Sequence, residues 1–292
     1  MLKRVLTAIV AIGVLIPVLV FSDTWFFPFA CCVLASVAIF EIMGCIDVRK
    51  KLSLSIPTFV YELLIFAVSA VYFLSAKSDS PVLPASALAA VIFALTFFYV
   101  FWILAATMLS LGEVKFTKGA ELIIWTLYIL MGFVSLIMLR RQIAMGAYLY
   151  GLVFIGAWAT DTGAYFIGVL FGKHKLIPEV SPKKTVEGAF GGVLGAILGF
   201  TVYAFILQNI SDLKVNYIAL IVLAIVIAVV SQFGDLIASY VKRECGIKDF
   251  GFIFPGHGGV LDRFDSIIAV APAIYFILLL LQEYAWIFQF AA

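Results

Sequence analysis

Residues 215–236 read VNYIALIVLAIVIAVVSQFGDL, an apolar run whose one charged residue, Asp235, stands a single place from its end. The hydrocarbon core of a bilayer is about 30 Å thick, so about 20 apolar residues wound as a helix cross it. Eight further runs of this kind lie outward from it: Val5–Phe21, Trp25–Ile46, Thr58–Leu74, Ala85–Leu109, Glu121–Leu139, Met145–Leu170, Gly188–Leu207 and Phe264–Phe288. The breaks carry charge and turn formers, as in Ser22-Asp23-Thr24 and Lys77-Ser78-Asp79-Ser80-Pro81. Lipid offers the backbone no hydrogen-bond partner, so the runs must be helices. The expected fold is therefore all-α, a polytopic integral membrane protein with about nine transmembrane helices.

Composition agrees. The chain has 292 residues, 65% hydrophobic and 12% charged, with a mean hydropathy of +1.18. Soluble domains are about a quarter charged, and this chain has too little polar surface to cover a water-facing globule. A formal net charge of +2 argues against a nucleic-acid partner, which would call for a concentrated basic face. The cysteines Cys31, Cys32, Cys45 and Cys245 form no CxxC pair and read as packing thiols. Cys245 with His257 would make a poor zinc set. Lys3-Arg4 before the first run reads as the flank of an uncleaved helix, because no small-residue cleavage site follows.

Of the 19 Lys and Arg residues, all but Lys77, Arg140, Arg141 and Lys214 fall on one side of the nine-span arrangement. The positive-inside rule then places the N-terminus in the cytosol and the C-terminus outside. Arg140-Arg141 breaks the rule locally. Two regions are expected: 1–144, with about five spans and few unusual polar residues, and 145–292, with about four spans, two cytosolic loops and most of the unusual polar residues.

Four carboxylates fall inside or at the ends of spans. Glu41 and Glu62 read as structural or interfacial. Asp161 is different. Tyr165, Gly168 and Gly172 follow it at helical offsets, making a small, polar face that runs into Gly172-Lys173-His174-Lys175. A carboxylate in lipid needs a partner, a proton or a metal. Asp235 ends its run on the cytosolic side.

The first long loop, Phe171–Glu187, holds Lys173, Lys175, Ser181, Lys183, Lys184 and Thr185. Four lysines and a hydroxyl near a helix start suit a polyphosphate, or equally anionic lipid headgroups. Gly191, Gly195 and Gly199 recur every four residues beyond it, a pattern for close helix packing or a dimer contact. The second loop, Ile237–Arg263, gathers Lys242, Arg243, Lys248, His257 and Arg263 among glycines. Gly256-His257-Gly258-Gly259 offers backbone N–H groups just before a helix, an anion-binding arrangement. Asp262 and Asp265, three apart, share a face of that helix's first turn. Carboxylates beside a phosphate site suit Mg²⁺.

The stretch from Ser239 to Asp265 resembles the signature of the phosphatidate cytidylyltransferases, or CDP-diacylglycerol synthases. That signature runs Ser-x-apolar-Lys-Arg, then Lys-Asp-x-small, then apolar-Pro-x-His-Gly-Gly-apolar-x-Asp-Arg-apolar-Asp, and every fixed position is met. Asp161, Tyr165, Gly172-Lys173, Ser181-Pro182-Lys183-Lys184-Thr185 and Glu187-Gly188 are similar to the same family. The first 150 residues resemble it only as hydrophobic spans.

The resemblance implies transfer of CMP from CTP to phosphatidate, releasing pyrophosphate, with Mg²⁺ and with a second cation left open. It implies a homodimer in the inner, cytoplasmic membrane with its site facing the cytosol. Asp161, Asp235, Asp262 and Asp265 are the expected metal ligands. Asp235, Asp262, Asp265, His257, Lys248 and Arg263 are the expected catalytic set. Lys173, Ser181, Lys183, Lys184, Thr185, Lys242, Arg243, Gly258 and Gly259 are expected to bind substrate. Rivals are a CTP-using lipid kinase and an ion-coupled transporter. The transporter predicts carboxylates in both halves of an inverted repeat, whereas here they cluster late in the chain.

Overall fold

The computed structural model describes residues 13, 16–75, 84–142, 145–211, 213–254, 256, 258–281 and 287–290. Most of the first expected span, Val5–Phe21, and His257 lie outside these. Among the described residues, eight helices are long and apolar enough to cross a membrane. They are α1 (Phe26–Cys45), α2 (Leu52–Ser75), α3 (Ala85–Leu109), α4 (Phe116–Gln142), α5 (Gly151–Phe171), α6 (Val186–Ile210), α7 (Tyr217–Glu244) and α8 (Leu261–Leu281). A single turn, Gly146–Leu149, leads into α5. The protein is thus an all-α polytopic membrane protein.

Several boundaries differ from the sequence expectation, each for a local reason. Helix α7 runs two turns past Leu236, so Lys242 and Arg243 sit on its last turn, where cations favour the carbonyl end of the helix dipole. The second loop shrinks accordingly to the stretch between Glu244 and Leu261. The first loop is not irregular. Strands β1 (Lys175–Ile177) and β2 (Ser181–Thr185) pair antiparallel as a short hairpin. Helix α8 is described as far as Leu281, and Phe288, the expected end of that span, lies in a strand instead. The later strand β4 (Phe288–Phe290) pairs antiparallel with β3 (Leu213–Val215).

The chain forms two compact units. One comprises residues 1–138 with 245–264, and the other comprises 139–244 with 265–292. In the first unit, Phe27, Phe73, Phe133, Ile103 and Leu122 form a fully buried core. Several of its polar side chains bond to one another, which lipid favours. The Tyr99 hydroxyl donates to Thr126 Oγ1 at 3.0 Å, and the Tyr61 ring stacks on Tyr99 with centroids 4.3 Å apart.

The first unit also holds a disulfide between Cys45 and Cys245, with Cα atoms 5.8 Å apart. The packing-thiol reading therefore holds only for Cys31 and Cys32, which are free. The spacing between Cys45 and Cys245 along the chain gave no hint of the pairing. After mild oxidation, alkylation in denaturant is expected to label two thiols per chain, and four after reduction. Four labelled thiols in the oxidised sample would refute the pairing.

In the second unit α5, α6 and α7 pack around Phe200, Leu220, Ile227 and Val153. Gly191 and Gly195 of α6 lie against the backbone of Gly163 and Ala159 of α5, where a Cβ would collide with carbonyl oxygens. The glycine stripe is consumed by packing within the chain. Outward-facing Phe93, Phe98 and Phe101 of α3 are exposed, as expected of a lipid-facing helix.

Candidate active site

In the second unit a cavity of about 450 Å³ opens between α5, the β1–β2 hairpin, the start of α6 and α7. Asp161, Tyr165 and Gly168 of α5 line it, as the helical offsets predict. Lys183, Lys184 and Thr185 enter from β2, and Asp235 from α7. The volume suits a drug-sized ligand.

Lys184 Nζ lies 2.7 Å from Asp235 Oδ2 and 3.4 Å from the Gln232 carbonyl. Both charged side chains are about a quarter exposed, at 25% and 30%. Ser239 Oγ donates to Asp235 Oδ1 at 3.4 Å. Arg243 Nε donates to the Val180 carbonyl at the hairpin turn, at 3.4 Å. Asp265 of α8 is half-buried, and Asp235, Asp161 and Lys242 all act on it electrostatically. The second unit thus brings together Asp161, Lys183, Lys184, Asp235, Lys242 and Asp265.

Glu187 ties together the two chain ends that flank the hairpin. Its carboxylate accepts the backbone N–H groups of Lys173 and His174, at 3.0 and 3.2 Å to Oε2, and meets His174 Nδ1 at 2.6 Å. Thr185 is the N-cap of α6, its Oγ1 accepting the Gly188 N–H at 3.0 Å. Ser181 pairs with Ile177 across the hairpin, and Lys173 is exposed. Sequence reasoning missed Gln232, which also lines the cavity, as does Lys175, one of the four loop lysines read as suiting a polyphosphate. Gln232 stands one turn of α7 before Asp235, a helical neighbour offset that could have flagged it.

The remaining expected residues lie in the first unit. Lys248 and Arg263 are exposed. Asp262 is 7% exposed, and its Oδ2 accepts the N–H groups of Phe250 at 2.7 Å and Gly259 at 2.9 Å. Glu41, read from the sequence as structural or interfacial, is buried at 2% exposure. It accepts the N–H groups of Val260 at 2.9 Å and Leu261 at 2.8 Å. At the start of α8 these backbone N–H groups are thus taken by a carboxyl group of the protein itself. Gly258 and Gly259 are buried, and the Gly259 N–H is already bonded.

Among the described residues no group of three His, Cys, Asp or Glu side chains stands ready to hold a metal. What the second unit shows is a small set of carboxylates with lysines around them.

The cytidylyltransferase family model matches residues 2–281. The phosphatidate cytidylyltransferase of Bacillus subtilis (strain 168) is 36% identical over 288 residues, covering 96% of this chain and 98% of that protein. That of Staphylococcus aureus (strain COL) is 32% identical over 278 residues, covering 94% and 98%. A Staphylococcus epidermidis protein of the same name, from strain RP62A, is 41% identical over 179 residues, where this chain spans 66% of that protein's length. A cavity built of lysines and carboxylates on lipid-embedded helices, in a chain matched almost end to end, has one consistent reading: the chain belongs to the cytidylyltransferase family and is a multi-pass membrane nucleotidyltransferase.

Proposed function

We propose that the protein transfers CMP from CTP to phosphatidate, giving CDP-diacylglycerol and pyrophosphate, as a phosphatidate cytidylyltransferase of phospholipid biosynthesis. The observation that carries this reading is the Lys184–Asp235 pair in a lysine-lined cavity at the ends of membrane helices. It is supported by relatives of that name that align over nearly the whole chain.

The chemistry follows from charge. A phosphatidate oxygen attacks the α-phosphorus of CTP, a new P–O bond forms, and the bond to the β-phosphate oxygen breaks in line. The lipid phosphate is already ionised at neutral pH, so no strong general base is required. The work left to the protein is positioning and neutralisation of charge. Lys183 and Lys184 would receive the triphosphate, with Lys173, Ser181 and Thr185 shaping that end of the cavity. Lys242 and Arg243, on the last turn of α7, would hold the lipid phosphate. Lys184 pairs with Asp235 before substrate arrives, and its flexible ammonium can pass from that carboxylate to a phosphate oxygen.

The donor set fits Mg²⁺. Mg²⁺ takes oxygen ligands and typically needs only one or two protein carboxylates beside substrate phosphates. Asp235 and Asp265, with Asp161 close enough to act on Asp265, supply oxygens of that kind. When bound, the cation would screen the phosphate charge and polarise the α-phosphoryl group. Asp262 belongs to the proposed set, though its Oδ2 already orders the backbone of its own loop. His257, Lys248 and Arg263 are proposed to face the α-phosphate or the leaving group, with Gly258 and Gly259 giving that loop its shape.

The proposed setting is the inner, cytoplasmic membrane, with the N-terminus and the site on the cytosolic face and the chain working as a homodimer. The count of cations by loop supports the orientation.

The test is direct. Purified protein with Mg²⁺, radiolabelled CTP and phosphatidate is expected to yield labelled CDP-diacylglycerol and one pyrophosphate per turnover, and EDTA to stop both. Release of CDP with phosphate transfer would instead mark a CTP-dependent lipid kinase. Undiminished turnover in EDTA would overturn the metal assignment.

A further inference from the structure

We propose that Glu41, on the first described membrane helix, is a positioning residue for the reaction. It holds the loop that carries Lys248, Asp262 and Arg263 by occupying the N-terminus of α8. This rests on the function proposed above, which gives that loop its role.

The geometry is specific. Glu41 uses both carboxylate oxygens on consecutive donors, Oε1 on the Val260 N–H and Oε2 on the Leu261 N–H. These are among the donors that an α-helix leaves unsatisfied at its first turn, and they carry the positive end of its dipole. The backbone closes tightly around the carboxylate: a Cβ on Gly251 or Gly259 would collide with it. A Cβ at either position would push aside a side chain more than 200 residues away in sequence. Asp262 completes the arrangement from within the loop by bonding Phe250 and Gly259.

Glu41 does not act alone on its helix. Cys45 lies one turn further along α1 and is bonded to Cys245. The last two turns of α1 thus fasten the loop at both ends, at Cys245 by a covalent bond and at Val260–Leu261 by the carboxylate. Arg49 and Asp262 both act on Glu41 electrostatically, and the Arg49 guanidinium packs over Phe40 at 3.9 Å. Burial of a carboxylate in a membrane helix is costly, and a helix N-terminus is one of the few uncharged partners that can offset it.

The substitution that separates position from fold is Glu41→Gln. Its carbonyl oxygen keeps one of the two bonds, while its amide sets a donor against a donor. The expected result is a folded protein whose kcat falls at least 10-fold. KM for CTP, assigned to Lys183 and Lys184 of the other unit, should change less than twofold. Glu41→Asp, which keeps the charge, is expected to recover part of the loss, and Glu41→Ala to lose more than Glu41→Gln.

A second measurement needs no variant and no activity. In the wild-type protein the Val260 and Leu261 amides are expected to exchange with deuterium at least 100-fold more slowly than exposed loop amides. Wild-type kcat in a folded Glu41→Gln protein would overturn the proposal, as would unprotected amides at Val260 and Leu261. Failure of the function itself would show separately, as no product from the unaltered enzyme.

Discussion

Replacing Asp265 with asparagine is expected to lower CMP transfer about 10³-fold, equivalent to about 4 kcal/mol of barrier, while the protein stays folded. Asparagine has the same shape, and its Oδ1 can still accept the Ser266 N–H that Asp265 Oδ1 now accepts at 2.8 Å. What disappears is a charge that Asp235, Asp161 and Lys242 all feel. On the proposed function, the site would receive a triphosphate and a lipid phosphate, several negative charges at once. Its chemistry would then depend on a fixed set of counter-charges and on carboxylates able to hold a cation among them. Asp235→Asn is expected to behave alike. The check is pyrophosphate release under saturating substrates, with size-exclusion in detergent as the control for folding. Wild-type turnover in both variants would remove these carboxylates from the mechanism.

Lys184→Met is the second large effect. Methionine keeps much of the unbranched stem and deletes the ammonium. The variant is expected to lose about 10²-fold in kcat/KM for CTP, mostly through KM, because the lost charge would bind triphosphate in ground state and transition state alike. Lys184→Arg should fall between, since a planar guanidinium keeps the charge but not the geometry of a point donor. Loss of Lys184 also leaves Asp235 without the partner now 2.7 Å away. The Met variant should therefore need a lower Mg²⁺ concentration to reach half its own maximum, because no ammonium competes with the cation for Asp235. An unchanged KM for CTP would show that the triphosphate binds elsewhere.

Much of this architecture is legible in the sequence because lipid leaves the chain so little choice. Runs such as 215–236 can only be helices, and eight of the nine expected spans coincide with helices among the described residues. Ends are less legible. Ser239, Tyr240 and Val241 continue α7 past the apolar run because a helix can project its last turns beyond the hydrocarbon, and hydropathy does not register them. The β1–β2 hairpin hid for the opposite reason. Its strands are three and five residues long and contain Pro182, too short to show alternation.

The lysine-lined cavity was readable from Lys183, Lys184, Asp161 and Asp235, because charge is rare here and clusters. Glu41 and Cys45 were not. Their partners lie 219 and 200 positions away, and no local pattern in α1 distinguishes a carboxylate that caps a distant helix from one that reaches water.

That distance has a consequence for biogenesis. Glu41 meets Leu261 across 220 residues, so α1 enters the bilayer long before the ribosome has made the segment that receives its acid. Throughout synthesis of the intervening helices the acid must shelter at the headgroups or against a chaperone. The loop before α8 can then settle only as a late event, after α8 is threaded. Nascent chains truncated within α7 should thus be inserted yet inert, with the acid of α1 still waiting for α8.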